Sequence, residues 1–204
     1  MERLILFAKT PRLHEVKTRL APQLLPEQAL GFHQAMLADQ IRFLRSLETD
    51  SRDGEICVGE ESQGEGDLGA RMDRALLRAF TAGRARAAII GADAPTLPRA
   101  FVEEAYEVLC GNADAVIVPA DDGGYVLIGA KRPVSALFEG VPWGTPRVVA
   151  TTRRIAREAG LKLAETASWP DVDVVADLPR LAADLAADPQ RAPATLAFMR
   201  TLGL

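Results

Sequence analysis

The stretch DAVIVPADDGGYVLIGA, residues 114–130, contains two continuous apolar runs that are separated by only a few turn residues. Continuous rather than alternating runs are typical of strands that are buried on both faces of a sheet. The DDGG sequence between them, residues 121–124, favours a tight hairpin turn. The stretch therefore predicts two central strands joined by a turn within a mixed sheet.

Similar apolar runs occur earlier in the chain, at residues 3–8, 55–59 and 86–92. Other segments carry apolar residues with helical period, at residues 26–48, 68–82, 98–110, 145–159 and 178–185. The alternation of strand and helix predicts a layered α/β domain with a mostly parallel sheet. No repeat, low-complexity tract or linker divides the sequence, so we predict a single domain over residues 1–204.

The composition excludes several classes of protein. The 204 residues carry a formal net charge of −4, which gives no general attraction for nucleic acid or an anionic membrane. No window reaches the ~18 apolar residues of a membrane span, and the N-terminal run is too short for a signal peptide. We therefore expect a cytoplasmic protein without a nucleic-acid partner. The two cysteines, Cys57 and Cys110, lack metal-ligand spacing, and we predict that both are buried thiols.

A basic loop follows the first predicted strand and contains Lys9, Lys17 and Arg19. Three cations in one loop of an acidic protein suit a phosphate group, because lysine supplies a point charge and arginine a planar set of donors. A solvated basic surface loop is the alternative. Residues 8–19 contain no glycine, so the loop is neither a Walker motif nor a Rossmann fingerprint.

Two further loops place acids after predicted strands. Asp67 lies among Gly64, Gly66 and Gly69, where it is either the N-cap of the next helix or part of a closely approached ligand site. Asp93 follows a buried run directly and is suited to hold a divalent cation at the carboxyl edge of the sheet. A cap or turn role is the alternative for Asp93.

The DDGG turn should lie at the same edge, because the strands on both sides of it are apolar enough to be central. Asp122 would then face a substrate hydroxyl or a metal. Near the end of the chain, Asp171 and Asp173 occupy alternate positions and share a face if that segment is extended. Trp143 either stacks on a base or sugar or fills the core.

Six motifs occur in order along the chain: FAK.P....VKTRL.P at 7–22, QGEGDLG.RM at 63–72, G.D.P.L at 91–97, PA.DGGY.LIG at 119–129, LF.G..WGT..V at 137–148 and DVD...DL at 171–178. Together they resemble the bacterial GT-A-type nucleotide-diphospho-sugar transferases called transferase 1, rSAM/selenodomain-associated, a DUF2064-like group of candidate glycosyltransferases. The basic segment also resembles the start of phospholactate guanylyltransferases, and the group is distantly similar to molybdenum-cofactor nucleotidyltransferases.

The resemblance implies a Rossmann-like GT-A fold, a three-layer α/β/α sandwich, and a Mg²⁺ or Mn²⁺ ion held by Asp93 and Asp173. It implies catalytic roles for Asp93, Asp122 and Lys17. The residues expected at the nucleotide phosphates are Lys9, Lys17, Arg19 and Asp67, and those expected at the acceptor are Asp122, Gly123, Gly124, Tyr125 and Trp143.

The expected activity is that of a metal-dependent transferase with a nucleotide or nucleotide sugar as its partner. Glycosyl transfer is the first hypothesis, and nucleotidyl transfer with release of pyrophosphate is the alternative. A third hypothesis is a catalytically silent nucleotide-binding module. The chain departs from the family in having His14 where glycine is usual and Glu15 where a basic residue is common. The tail at residues 194–204 is predicted to be a helix docked on the sheet or on another subunit. In the second case the protein would be a homodimer.

Overall fold

The six strands found in the described part of the chain form one mixed sheet. The structure is a computed structural model and describes residues 1–21 and 23–204. Pro22, the last residue of the basic-loop motif, lies outside the described residues. The strands lie in the order β2-β1-β3-β5-β4-β6, with bounds Glu2–Ala8 (β1), Arg52–Val58 (β2), Arg86–Gly91 (β3), Ala115–Pro119 (β4), Tyr125–Ala130 (β5) and Leu163–Glu165 (β6).

Strand β5 runs in the opposite direction to the rest of the sheet. It pairs antiparallel with both β3 and β4, whereas β1 pairs parallel with β2 and β3, and β4 pairs parallel with β6. The β4–β5 register shifts between Val118 and Pro119, next to the turn. The predicted hairpin is therefore confirmed, and the DDGG turn lies at the edge where β1, β3 and β4 end.

Helices cover both faces of this sheet. Their bounds are Pro26–Ser46 (α1), Gly59–Gln63 (α2), Leu68–Thr81 (α3), Arg99–Cys110 (α4), Val148–Glu158 (α5), Leu178–Ala187 (α6) and Pro193–Thr201 (α7). Helices α1 and α4 pack on one face, and α3 and α5 pack on the other. The predicted three-layer α/β/α arrangement is confirmed.

Strand β1 shows why the apolar runs are continuous. Leu4 and Leu6 belong to the core cluster under α1 and α4, whereas Ile5 and Phe7 belong to the cluster under α3 and α5. Successive side chains of a strand point to opposite faces, so a strand between two helical layers must be apolar at every position. Burial of each such side chain contributes roughly 1.5–3 kcal/mol to folding.

The C-terminal helix packs on α1, not on the sheet. A third core cluster joins α1, α6 and α7. Asp39 of α1 is buried and accepts hydrogen bonds from the amides of Ala194 and Thr195, at 3.1 and 2.7 Å, and from the Thr195 hydroxyl at 2.8 Å. These amides belong to the first turn of α7, where backbone donors lack partners within the helix. The expectation of a helix docked on the sheet is thus corrected to docking on a helix of the same chain, and docking on another subunit stays a prediction.

The prediction for the two cysteines was half wrong. Cys57 on β2 is buried, as expected, but Cys110 is exposed. Cys110 is the last residue of α4, and its predecessor Leu109 is the one that faces the core. The apolar stripe of a helix covers only part of its circumference, so a residue beside that stripe is solvated.

Two short elements carry no usable sequence signal. Strand β6 has three residues and pairs only with β4, and α2 has five residues that follow β2 directly. Among the described residues, no helix combines the length and the apolar character of a membrane span.

Candidate active site

The loops after β1 and β3 and the β4–β5 turn meet at one edge of the sheet and border a cavity of about 630 Å³. Because β5 is reversed, this edge combines the carboxyl ends of the other five strands with the start of β5. The cavity lining includes most of the residues singled out in the sequence: Lys9, Lys17, Asp67, Asp93, Gly124, Tyr125, Trp143 and Asp173. Arg19, Asp122 and Gly123 are not part of that lining.

Lys17 connects the two acids that were predicted to hold a metal. Its ammonium nitrogen lies 2.6 Å from Oδ1 of Asp93 and 3.0 Å from Oδ1 of Asp173. It also donates a hydrogen bond to the carbonyl oxygen of Val172 at 2.5 Å. The side chain of Lys17 is 3% exposed, whereas that of Asp93 is 48% exposed. The structure therefore brings these residues together around a buried positive charge.

The charges of this cluster shift the pKa values of its members. Burial lowers the pKa of Lys17, but the carboxylates of Asp93 and Asp173 outweigh it, and the pKa is raised above its usual value. Desolvation opposes the ionisation of Asp93, but the Lys17 ammonium outweighs it and lowers the pKa of Asp93. Lys17 is thus held as a cation and Asp93 as an anion.

The loop that carries Lys17 has an uncommon backbone. His14 has a φ of 64° and Lys17 a φ of 50°, both in the left-handed region that favours glycine. This conformation gives a physical reason for the glycine that the resembled family usually has at the position of His14. Glu15, the other departure, lies 3.9 Å from Arg12 in an exposed ion pair.

The segment after β6 is held against the loop after β3 by a backbone hydrogen bond, and one carboxylate orders its own turn. The amide of Val172 donates to the carbonyl oxygen of Asp93 at 2.9 Å. Asp177 accepts hydrogen bonds from the amides of Asp173 and Val174, both at 2.8 Å. Asp177 directly precedes α6 but makes no side-chain cap hydrogen bond to it, because its carboxylate turns back and orders the turn that positions Asp173.

Three acids form a cluster beside Lys17. Asp122, Asp171 and Asp173 each offer a carboxylate oxygen, and these oxygens lie within 4.8 Å of one another. Burial, together with the charges of Asp122 and Asp173, raises the pKa of Asp171 to about 7. The alternate spacing of Asp171 and Asp173 predicted a shared face, and the structure agrees. Asp122, which was predicted to face a substrate hydroxyl or a metal, lies in the same cluster, but its proximity to Asp171 was not predicted.

The DDGG turn is closed by hydrogen bonds and by close packing. Oδ1 of Asp122 accepts from the amide of Gly124 at 2.7 Å, and the amide of Ala120 donates to the carbonyl oxygen of Gly124 at 2.8 Å. Gly123 has a φ of 90°, and its carbonyl oxygen accepts from the amide of Val149. A Cβ atom at Gly123 would collide with the backbone of Pro146. The turn therefore presents Asp122, while Gly123 packs against the start of α5.

Tyr125 and Trp143 form an aromatic wall of the cavity. Their rings meet edge to face with centroids 6.2 Å apart, and Trp143 stacks on Phe138 with centroids 6.5 Å apart. The Tyr125 hydroxyl and the Trp143 indole nitrogen are buried and find no hydrogen-bond partner within the described residues. Burial raises the pKa of Tyr125, so its hydroxyl stays protonated and is available as a donor. Trp143 thus belongs both to the core and to the cavity.

The start of α3 forms another side of the cavity. Oδ1 of Asp67 accepts from the amide of Ala70 at 2.8 Å, which confirms the predicted N-cap. Arg71, which was not singled out in the sequence, also lines the cavity and donates to the carbonyl oxygen of Gly66 at 2.7 Å. Asp67 therefore has a structural role and a position at the cavity at the same time.

Lys9 and His33 complete the cavity beside Lys17. Nε2 of His33 lies 3.4 Å from the carbonyl oxygen of Lys9, and its Nδ1 has no partner within residues 1–21 and 23–204. Burial is the main cause that lowers the pKa of His33. Arg19 lies on the outside with its side chain 61% exposed, and its guanidinium is 3.6 Å from Oδ2 of Asp173.

The sequence interpretation missed His33, Arg71 and the proximity of Asp171 to Asp122. His33 and Arg71 lie on amphipathic helices, where a polar residue beside the apolar stripe is usually solvated. Arg71 lies in the first turn of α3, close to the carboxyl edge of the sheet, and this position is a signal that the sequence contains. His33 is the eighth residue of α1 and has no such signal. The ion pairs of Lys17 with two acids depend on the conformation of its loop, which cannot be predicted from hydrophobic periodicity.

Comparisons with known proteins relate this chain to one family and one fold. The model of the family described as "Uncharacterized protein conserved in bacteria (DUF2064)" matches residues 34–145. A protein from Desulfovibrio desulfuricans G20, provisionally named a nucleotide-diphospho-sugar transferase, is 30% identical, with a TM-score of 0.87 over 98% of this chain and 94% of that one. No curated protein sequence gives a significant match to this chain.

More distant solved structures share the fold. A CMP:2-keto-3-deoxy-manno-octonic acid synthetase complexed with CTP is 11% identical, with a TM-score of 0.52 over 92% of this chain and 100% of that one. A cytidylyltransferase from Leptospira borgpetersenii serovar Hardjo-bovis (strain JB197) is 10% identical, with a TM-score of 0.51 over 99% of this chain and 93% of that one. At this level of identity the similarity shows the fold alone.

Proposed function

Since the chain belongs to the bacterial DUF2064 family, we propose that it is a divalent-metal-dependent transferase that uses a nucleotide-diphospho sugar. The observation that supports the proposal most directly is the cluster of Lys17, Asp93 and Asp173 at one wall of the cavity. Acids and cations at the carboxyl edge of an α/β sheet are suited to a phosphorylated ligand. The similarity to the Desulfovibrio protein along nearly the whole chain supports the same class.

The donor set suits Mg²⁺ or Mn²⁺. Asp93 and Asp173 already direct one oxygen each at a positive charge, and Asp122 and Asp171 place further carboxylate oxygens nearby. Hard divalent cations prefer such oxygen ligands and need only one or two protein carboxylates when phosphate oxygens complete the shell. We propose Asp93 and Asp173 as the ligands. When bound, the cation would neutralise phosphate charge and stabilise the phosphate leaving group.

The other residues would bind and orient the two substrates. Lys9 would offer an ammonium group to the phosphates, and Lys17 would offer one once a phosphate replaces its present partners. Arg71, which pairs with Glu60 at 3.3 Å, would offer a guanidinium from the start of α3. Asp122 is exposed at the turn and would accept a hydrogen bond from an acceptor hydroxyl. Tyr125 and Trp143 provide an aromatic surface on which a sugar or a base packs.

Nucleotidyl transfer is the second candidate. The fold shared with a CTP-bound synthetase and with a cytidylyltransferase favours it. The distribution of cations favours the first candidate, because Arg19 is exposed and Lys17 is paired with two acids, which leaves little uncompensated positive charge for a triphosphate. A catalytically silent module would bind nucleotide without turnover.

A thermal-shift panel with product analysis distinguishes these functions. Nucleoside triphosphates and nucleotide sugars are each added with and without Mn²⁺, because a ligand that binds only the folded state raises the melting temperature. We expect stabilisation by a nucleotide sugar with Mn²⁺, followed by release of a nucleoside diphosphate on addition of acceptors. Release of pyrophosphate from a triphosphate would establish the second candidate instead. A panel in which no nucleotide shifts the melting temperature would contradict the proposal.

Asp93→Asn tests the metal assignment, with Asp121→Asn as its control. Asp121 is the neighbouring acid of the turn and pairs with Arg180 at 3.3 Å, outside the cavity lining. We expect Asp93→Asn to lower the Mn²⁺-dependent affinity for nucleotide by at least about tenfold, and Asp121→Asn to leave it unchanged. Unchanged affinity in Asp93→Asn would remove Asp93 from the site.

A further inference from the structure

We infer that Lys17 is the resident cation between Asp93 and Asp173, so that a divalent ion enters this position only together with a phosphorylated ligand whose phosphate accepts the displaced ammonium group. This inference rests on the proposed function and specifies its ligand: a metal–phosphate complex, not a free metal followed by a nucleotide.

The ammonium group of Lys17 has no donor left for a phosphate. A lysine ammonium carries three N–H groups. The nitrogen makes three contacts with oxygens, to Val172 at 2.5 Å, Asp93 at 2.6 Å and Asp173 at 3.0 Å. With 3% of the side chain exposed, water does not supply an alternative partner. A phosphate can therefore bind Lys17 only after at least one of these contacts breaks.

The same contacts exclude a free divalent ion from the space between Asp93 and Asp173. Mg²⁺ binds oxygen at about 2.0–2.1 Å, so an ion between the two carboxylates would occupy the space of the ammonium nitrogen. Two cations at that separation repel strongly in a partly dehydrated cavity. A free ion must consequently drive the lysine away from its acids, and the displaced ammonium would be buried without a partner, which is costly.

A phosphorylated ligand removes this obstacle. Its phosphate oxygens accept the displaced ammonium while the ion neutralises Asp93 and Asp173, so every charge keeps a partner. Binding of the ion and binding of the phosphate are then positively coupled, and the coupling is reciprocal. The left-handed backbone of Lys17, with a φ of 50°, favours the exchange, because this conformation is uncommon for a residue with a Cβ and is held by the three contacts.

The experiment measures Mn²⁺ binding by electron paramagnetic resonance, with pyrophosphate as a phosphate probe that carries no base or sugar. For the wild-type chain we expect weak binding of Mn²⁺ alone. Pyrophosphate should raise the amount of protein-bound Mn²⁺ by about tenfold, after correction for the complex that forms in buffer. In Lys17→Met, Mn²⁺ alone should bind about tenfold more tightly than in the wild type, and pyrophosphate should add little.

Two further variants complete the design. Arg12→Met removes a cation from the same loop, but Arg12 is exposed and pairs only with Glu15 among the described residues, so Mn²⁺ binding should stay within about twofold of the wild type. Lys17→Gln repeats the test with a polar uncharged side chain if Lys17→Met does not fold. If neither folds, strong binding of Mn²⁺ alone to the wild type would still contradict the inference.

Mn²⁺ affinity that is equal in the wild type and the folded Lys17 variants would overturn the inference, as would strong binding of Mn²⁺ alone to the wild type. These outcomes are independent of the proposed function, because they would leave metal-dependent turnover of a nucleotide intact. Conversely, failure of every nucleotide to bind or react would contradict the proposed function, regardless of how substitution of Lys17 changes Mn²⁺ binding.

Discussion

Gly123 shows how one residue connects the acid-bearing turn to the rest of the fold. It combines a φ of 90° with close approach to the backbone of Pro146. Gly140 shares the positive φ, at 66°, but a Cβ atom there would meet nothing within 4 Å. A comparison of substitutions at these two positions therefore distinguishes the free-energy cost of a positive φ from the free-energy cost of a steric collision.

We expect Gly123→Ala to lower the free energy of unfolding by roughly 3 kcal/mol, because it adds a collision to a strained conformation. Gly140→Ala should lower it by only about 1 kcal/mol. Urea titration followed by circular dichroism measures both values. Equal losses in the two variants would show that the contact with Pro146 does not restrict position 123.

Among individual residues, sequence patterns identified most of those that line the cavity but not the ion pairs between them. Lys17 and Asp93 were predicted at one sheet edge because each lies in a loop that follows a predicted strand, whereas Asp173 was assigned to the metal only by the family resemblance. Their ion pairs were not predicted, since a few degrees of loop rotation decide whether a lysine faces a phosphate or a carboxylate. The acid cluster formed by Asp122 and Asp171 was missed for the same reason, because it joins segments that are distant in sequence.

The N-cap residue of helix α3 also belongs to the candidate site. Asp67 accepts from the amide of Ala70, and the same residue lines the cavity. We expect Asp67→Ala to lower the free energy of unfolding by about 1 kcal/mol, because the first turn loses a side-chain acceptor. Asp67→Asn keeps an acceptor of equal capping strength and should be as stable as the wild type.

Thermal and urea unfolding of the two Asp67 variants measure this difference. The pair also separates the cap from ligand binding: weaker nucleotide affinity in a fully stable Asp67→Asn would assign the carboxylate to the ligand as well. An Asp67→Ala variant as stable as the wild type would contradict the capping role.

At the scale of elements, long periodic segments were predictable and short ones were not. Helix α1 was predicted over 26–48 and ends at Ser46, and α3 was predicted over 68–82 and ends at Thr81. The helix predicted from residue 145 begins at Val148, because the preceding residues form a turn in which Thr145 donates to the carbonyl oxygen of Pro142. Strand β6 has its three residues ordered by pairing with β4, and that pairing leaves no mark in local periodicity.

The whole molecule is expected to unfold as one unit, which tests the prediction of a single domain. The two tryptophans report on opposite faces of the sheet, since Trp169 packs on the cluster under α1 and α4 and Trp143 on the cluster under α3 and α5. We expect Trp143→Phe and Trp169→Phe, each with one remaining tryptophan, to give fluorescence midpoints in urea that coincide with the circular dichroism midpoint of the same variant. Separate midpoints for the two probes within one variant would show that the faces unfold independently.

The exposed position of Cys110 has a practical consequence for work with this chain. Helix α4 starts beside the cavity, after β3, and runs back along the sheet, so its last residue lies at the opposite edge. The other thiol, Cys57, is buried and lies 3.2 Å from the guanidinium of Arg78. A maleimide reagent applied to the native protein should therefore attach a single dye or surface linker to an unmutated chain, with the cavity facing away from the point of attachment.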